Sequence, residues 1–170
     1  MKKIISLLIC LVLIFAFCGC SKKTDPVDMN RIYSVDAEVK MGDFSANVGL
    51  NRLGNGAWDI SFTKPDNLKG LAITYQNDKA DVSFNGLNFS INREDIPVNA
   101  IVSTLTNVLE NAAYGRELSF TKKDGKITVK GKVEDTDYVL TLDEKTNSLL
   151  ELDIKKQNLH VTFSGYKLMT

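Results

Sequence analysis

The sequence predicts a mainly β fold of α+β type, about eleven short antiparallel strands accompanied by one amphipathic helix. Three observations predict it. From Ile32 onward apolar and polar residues alternate with period two, the pattern of strands with one buried face. Turn signals, among them Asn85-Gly86 and Asp124-Gly125, separate the runs at hairpin spacing. A single stretch, Val98 to Ala112, instead repeats its apolar residues at steps of mostly three and four.

The first element is not part of that fold. Residues 1–20 read MKKIISLLICLVLIFAFCGC. Lys2 and Lys3 make a positive start, and Ile4 to Cys18 is apolar apart from Ser6. A membrane span needs about 20 apolar residues, so this run is short for a stable span and suited to a signal-peptide core. Its end, Phe17-Cys18-Gly19-Cys20, resembles a bacterial lipobox. Gly19 is the small residue beside the bond to be cut, and Cys20 supplies the sulfur that accepts diacylglycerol. The usual pattern has Leu three places before the cysteine and Ser or Ala two places before; Phe17 and Cys18 depart from it. Two acyl chains on one residue anchor stably, where one binds only marginally. The expected division is therefore 1–19 signal peptide, 20–31 lipidated cysteine and flexible tether, and 32–170 folded domain. Lys22 and Lys23 stand ready for anionic head groups or for simple solubility.

The strands follow in order. Val35, Ala37, Val39 and Met41 share one face, as do Phe44, Ala46, Val48 and Leu50. Trp58, Ile60 and Phe62 come after the Gly54-Asn55-Gly56 turn, then Leu71, Ile73 and Tyr75. Val82 and Phe84 lead into Asn85-Gly86, with Leu87, Phe89 and Ile91 beyond. In the helix, Val98, Ile101, Val102, Leu105, Val108, Leu109 and Ala112 form the apolar face. Pro97 suits a first helical position, Glu94 and Asp95 suit the positive end of the dipole, and Gly115 suits a stop. Strands resume with Leu118 and Phe120, then Ile127, Val129 and Val133, then Tyr138, Leu140 and Leu142. Leu150, Leu152 and Ile154 follow a Glu144–Asn147 turn, and Leu159, Val161 and Phe163 close the set. One helix of about 16 residues, about 24 Å long, cannot cover such a sheet. The sheet must curl around it and leave a groove, or close on itself.

Composition narrows the function. The chain has 170 residues, enough for one domain with its own core. Without Lys2 and Lys3 it carries 19 basic and 21 acidic side chains, a net of −2. That balance argues against nucleic acid. All three cysteines, Cys10, Cys18 and Cys20, lie in the leader region, so no internal disulfide survives cleavage. A single histidine, His160, excludes any site needing two imidazoles, and alternation places it on a polar face. Glu94/Asp95, Asp135/Asp137 and Asp143/Glu144 read as turn and dipole residues. Phosphate-loop, dinucleotide and zinc spacings are absent. No nucleophile–base pair, metal or cofactor is expected, and the chain does not read as an enzyme. Lys126, Lys130 and Lys132 share the polar face of one strand, suited to anionic head groups or wall polymers, or simply solvated and set to pair with Asp135 and Asp137.

The layout resembles the lipoprotein-carrier fold of LolA, LolB and related mycobacterial and Gram-positive lipoproteins. The segment Trp58-Asp59-Ile60-Ser61-Phe62-Thr63-Lys64-Pro65-Asp66-Asn67-Leu68-Lys69-Gly70-Leu71 looks like that family's early hairpin. The resemblance implies a curled half-barrel of eleven strands with the helix on its concave side. It also implies a lid-locking arginine; Arg52 has the parity of Val48 and Leu50 but stands at a strand end beside a glycine turn, and reads as solvated. Val27 to Ile32 is too short for the helix that carriers place before the first strand.

On this reading the protein is an extracytoplasmic, lipid-anchored lipoprotein that binds or carries a hydrophobic ligand, a lipid or acyl chain. Trp58, Phe62, Tyr75, Phe84, Phe89, Leu105 and Leu109 are the candidate lining; the same residues would equally pack a dry core. The alternative is a non-enzymatic interaction lipoprotein acting through a protein partner or a homodimer, as spore-germination lipoproteins of similar layout are thought to do. Ser21 is compatible with sorting to an outer membrane where the cell has one.

Overall fold

The computed structural model describes residues 27–96, 100–115 and 117–169. The expected signal peptide, the expected lipidation site Cys20 and the expected helix-start residues Pro97 and Val98 lie outside them. Eleven strands form one open antiparallel sheet: β1 (Tyr33–Met41), β2 (Phe44–Gly54), β3 (Ala57–Lys64), β4 (Ala72–Gln76), β5 (Lys79–Phe84), β6 (Leu87–Asn92), β7 (Ser119–Lys123), β8 (Lys126–Val133), β9 (Thr136–Asp143), β10 (Leu149–Ile154) and β11 (Leu159–Leu168). One helix, α1 (Ile101–Tyr114), stands between β6 and β7. The expected half-barrel with one helix on its concave side is what is observed.

The order across the sheet is β6-β5-β4-β3-β2-β1-β11-β10-β9-β8-β7. The chain starts in the middle, meanders to one edge, crosses to the opposite edge through α1, and meanders back until β11 pairs with β1. A flat sheet of this width would hold its edges about 48 Å apart, whereas a helix of 14 residues spans about 21 Å. Curling the sheet around α1 brings the edges towards the connection and buries the apolar face. Register shifts at Ser34/Asp36, Asn47/Val48, Arg52/Gly54 and Leu149/Glu151 mark irregularities that help strands bend.

The hairpin turns follow their residues. Asn55-Gly56, Asn85-Gly86 and Asp124-Gly125 all have positive φ at both central positions, as primed turns need. The expected period-two faces of β1–β4 and β8–β11 are largely the buried ones, whereas on the edge strand β6 Leu87 and Phe89 of the expected inward face are exposed; in β10 the parity needs a correction. Leu149 rather than Leu150 is buried in β10, because the irregularity there moves the parity by one residue.

The helix begins later than its sequence suggests. Glu94 and Asp95 sit in a separate 3-10 turn, Arg93–Asp95, and α1 starts after Ala100 with no acidic residue in its first turn. Gly115 does end it, but with φ −62°, not a left-handed turn. A Cβ there would run into the Asn111 carbonyl. The buried face is Val102, Leu105, Val108, Leu109 and Ala112, joined by Ser103, Thr104 and Thr106. The Thr106 hydroxyl donates back to the Val102 carbonyl at 3.0 Å, which satisfies it inside the helix.

Candidate functional site

One cross-strand row of the concave face differs from its neighbours. Register aligns Tyr33 with Arg52, Arg52 with Trp58, and Trp58 with Tyr75. The rows beside it are aliphatic, such as Val35, Leu50, Ile60 and Ile73. Arg52 is 0% exposed. This overturns its reading as a solvated arginine: parity, not the nearby glycine turn, decides where it points, and α1 closes over it.

The buried charge is fully partnered. Arg52 Nε donates to Glu110 Oε1 at 2.9 Å and Nη2 to Glu110 Oε2 at 3.1 Å, a two-pronged pair. Nη1 donates to the Arg31 carbonyl at 2.8 Å, and both terminal nitrogens reach Asn30 Oδ1 at 3.3 Å. The Trp58 indole N–H donates to Glu110 Oε1 at 2.9 Å. The Tyr114 ring lies 5.4 Å from the guanidinium, and its hydroxyl donates to Asn30 Oδ1 at 2.6 Å. Burial alone would weaken the Arg52 charge, yet Glu110 and Tyr114 hold its pKa above the ordinary value. Glu110 and Tyr114 are four apart in the last turn of α1, where the helix dipole also favours a cation.

A second pin holds the other side of the helix. Tyr138 Oη donates to Asn111 Oδ1 at 2.7 Å. Its ring lies across Gly131, its direct partner on β8, where any Cβ would collide with it. Burial raises the Tyr138 pKa well above the usual tyrosine value. Burial also raises Tyr33 strongly, with Arg52 opposing it, and raises Tyr75. The Tyr33 and Tyr75 hydroxyls are buried without a hydrogen bond of normal geometry among the described residues. Arg93 stacks over the Tyr75 ring at 4.6 Å and donates to the Gly56 carbonyl at 3.0 Å.

The seven candidate lining residues fall into two groups. Trp58, Phe62, Tyr75, Leu105 and Leu109 are buried in one hydrophobic core. Phe84 is half-buried, and Phe89 is exposed on the edge strand β6. The five sheet residues share the concave face, with Phe89 in the row of Val82, Ile73 and Ile60. The concave cavity beside α1 is about 150 Å³, lined by Thr104, Val108, Val133, Thr136, Ile154 and Gln157 among others. Pockets for small ligands usually run to about 300–1,000 Å³. Beside the helix the half-barrel is packed, while the β5–β6 end of the concave face is left partly exposed.

The surface residues behave as their positions suggest. His160 Nδ1 lies 2.8 Å from Asp153 Oδ1, its cross-strand partner on the outer face. Lys132 pairs with Asp135 at 3.4 Å. Asp143 accepts from the backbone N–H groups of Lys145 and Thr146, which holds its carboxyl below the usual range and shapes the turn. No group of three metal-ligating side chains occurs among the described residues.

Sequence reasoning missed the Arg52–Glu110 centre. The available signals were the inward parity of Arg52 and the Glu110/Tyr114 spacing on the flank of the helix. Neither says that the two meet across 58 residues.

No family model matches the chain, and no curated protein matches it. Among solved structures, an uncharacterized conserved protein from Thermus thermophilus aligns with a TM-score of 0.57 at 8% identity, over 84% of this chain and 82% of that one. A LolA superfamily protein from Nitrosomonas europaea aligns at TM-score 0.44 and 10% identity, over 84% and 87%. A chain of the Clostridioides difficile CwlD amidase–GerS lipoprotein complex aligns at TM-score 0.45 and 18% identity, over 84% and 85%. The likeness to the Thermus protein shows that this chain shares its fold.

Proposed function

We propose that this protein is a LolA-like lipoprotein, anchored through diacylglycerol on Cys20 at the extracytoplasmic face of the cell membrane. It holds a lipid or acyl chain in the half-barrel once α1 has moved. Trp58, Phe62, Tyr75, Phe84, Phe89, Leu105 and Leu109 line the space so opened. The observation that carries this reading is the way the lid is held. A buried ion pair, Arg52–Glu110, pins the helix to the sheet inside an apolar concave face. Well-packed apolar residues would hold a permanent plug at least as firmly. A polar lock suits a lid that must release.

The test is mass spectrometry of lipids that co-purify with the full-length protein from its membranes. Stoichiometric lipid beyond that on Cys20, lost in a variant with Val108→Trp filling the cavity beside the helix, supports carriage. Protein that never retains or takes up lipid, with the helix still closed, overturns it.

A second reading, an interaction lipoprotein, is favoured by β6. This edge strand carries no charge and no proline, and it exposes Leu87 (69%) and Phe89 (52%). The opposite edge, β7, is guarded by Lys122 and Lys123. Unprotected edges accept further strands, from a partner or a second copy. Crosslinking in membranes distinguishes the two: a stoichiometric partner through β6, with no bound lipid, makes this the better account.

A further inference from the structure

We infer that the Arg52 end of the half-barrel is a membrane-docking rim, seated on the bilayer that holds the Cys20 anchor. This rests on the proposal that Cys20 is lipidated, and goes beyond it by assigning the domain an orientation and a second contact. Six large apolar side chains are exposed among the described residues, and four of them, Ile32, Leu53, Tyr114 and Leu168, surround Arg52, each 41–53% exposed. Leu53 follows Arg52, Ile32 precedes its cross-strand partner Tyr33, and Leu168 pairs with Tyr33 on the other side. The Ile32 side chain passes beside Gly54, and the Met169 N–H donates to the Ile32 carbonyl at 3.0 Å. Tyr114 adds an aromatic ring with a polar tip, the residue type that favours a membrane–water boundary.

The length of chain outside the structure selects the bilayer as occupant. Asn30 and Arg31, which bond to Arg52, place the start of the domain at this rim. The seven residues Cys20 to Pro26 then reach at most about 25 Å. The rim is thus confined near the bilayer at high effective concentration, so even a weak apolar contact is populated. Charge is compatible. Asp28 is offset by Arg31 at 3.2 Å, Lys167 is exposed beside the patch, and Lys22 and Lys23 lie in the link. The opposite ends of β1, β2 and β11 offer Gly42, Asp43, Lys155 and Lys156, and no exposed large apolar side chain among the described residues. Docking by this rim also brings the Arg52–Glu110 lock to the membrane side of the domain.

The test uses full-length protein purified from membranes and reconstituted in phosphatidylethanolamine–phosphatidylglycerol vesicles. An environment-sensitive thiol dye is placed at Leu53→Cys, Leu168→Cys or, as the distal control, Asp43→Cys. Docking predicts a blue-shifted emission and loss of aqueous quenching at positions 53 and 168 but not 43. Equal exposure of all three labels on lipidated, vesicle-bound protein overturns the rim while leaving the anchor intact. Dye found on Cys20, with an intact mass lacking diacylglycerol, instead overturns the anchor and the rim with it.

Discussion

Arg52 and Glu110, 58 residues apart, meet in a two-pronged ion pair at 2.9 and 3.1 Å between the middle of the sheet and the last turn of the helix. The arginine is fully buried and the glutamate is 17% exposed. Because a buried charge without its partner is costly, the pair works as a latch. It is firm while both members are present and harmful when one is missing.

Glu110→Ala is therefore expected to cost about 3–5 kcal/mol, measured by urea unfolding, since it strands the Arg52 guanidinium. Replacing both, as Arg52→Met with Glu110→Leu, is expected to recover much of that loss. A double variant as unstable as the sum of the singles would show that the two residues do not act as one unit.

Tyr138→Phe removes the hydrogen bond to Asn111 and leaves the ring in place, a loss of about 1 kcal/mol. Gly131→Ala is expected to be worse than Tyr138→Phe, because the new Cβ displaces the ring itself. Combining Gly131→Ala with Tyr138→Ala should relieve part of that clash. Thermal melts of the four proteins check the order.

Tyr33, Tyr75, Tyr138 and Tyr166 all have pKa values raised by burial above the ordinary value of 10.0. For a group raised in the folded state, the stabilisation is intact below the unfolded pKa and is lost as pH climbs above it. Stability should hold up to about pH 10 and fall beyond it. Tyrosinate absorbance should lag simple titration until unfolding begins. Early, reversible ionisation of all five tyrosines with the fold intact would contradict the burial described here.

Trp58 is the only tryptophan and donates to Glu110 on the helix. Lifting the helix exposes the indole and breaks that bond, so its emission should shift to the red in Glu110→Ala and on uptake of a fatty acyl ligand. An unchanged spectrum in saturating ligand would mean that the helix stays closed.

Leu105→Ala opens a cavity beneath the helix and should cost about 2–5 kcal/mol. Phe89→Ala, on the exposed edge strand, should stay within about 0.5 kcal/mol. Lipid retention or partner capture, measured on the Phe89 variant, then reports function separately from stability.

The strands, their faces and most of their turns were legible in the chain itself, because alternation is a local property. Val35 and Ala37 point inward for the same reason that Asp36 points out. Asn85-Gly86 turns wherever it occurs, since both positions must accept positive φ. Local pattern also marked the helix from Ile101 onward and its stop at Gly115. What tertiary structure alone decided was partnership. The parity of Arg52 was readable, but whether an inward arginine is buried or solvated depends on a carboxylate arriving from a distant helix. Likewise the five buried lining residues became core, and Phe89 surface, only because α1 lies over one part of the concave face and leaves β6 bare. Periodicity tells each residue which way to face; it carries no information about what will be there to meet it.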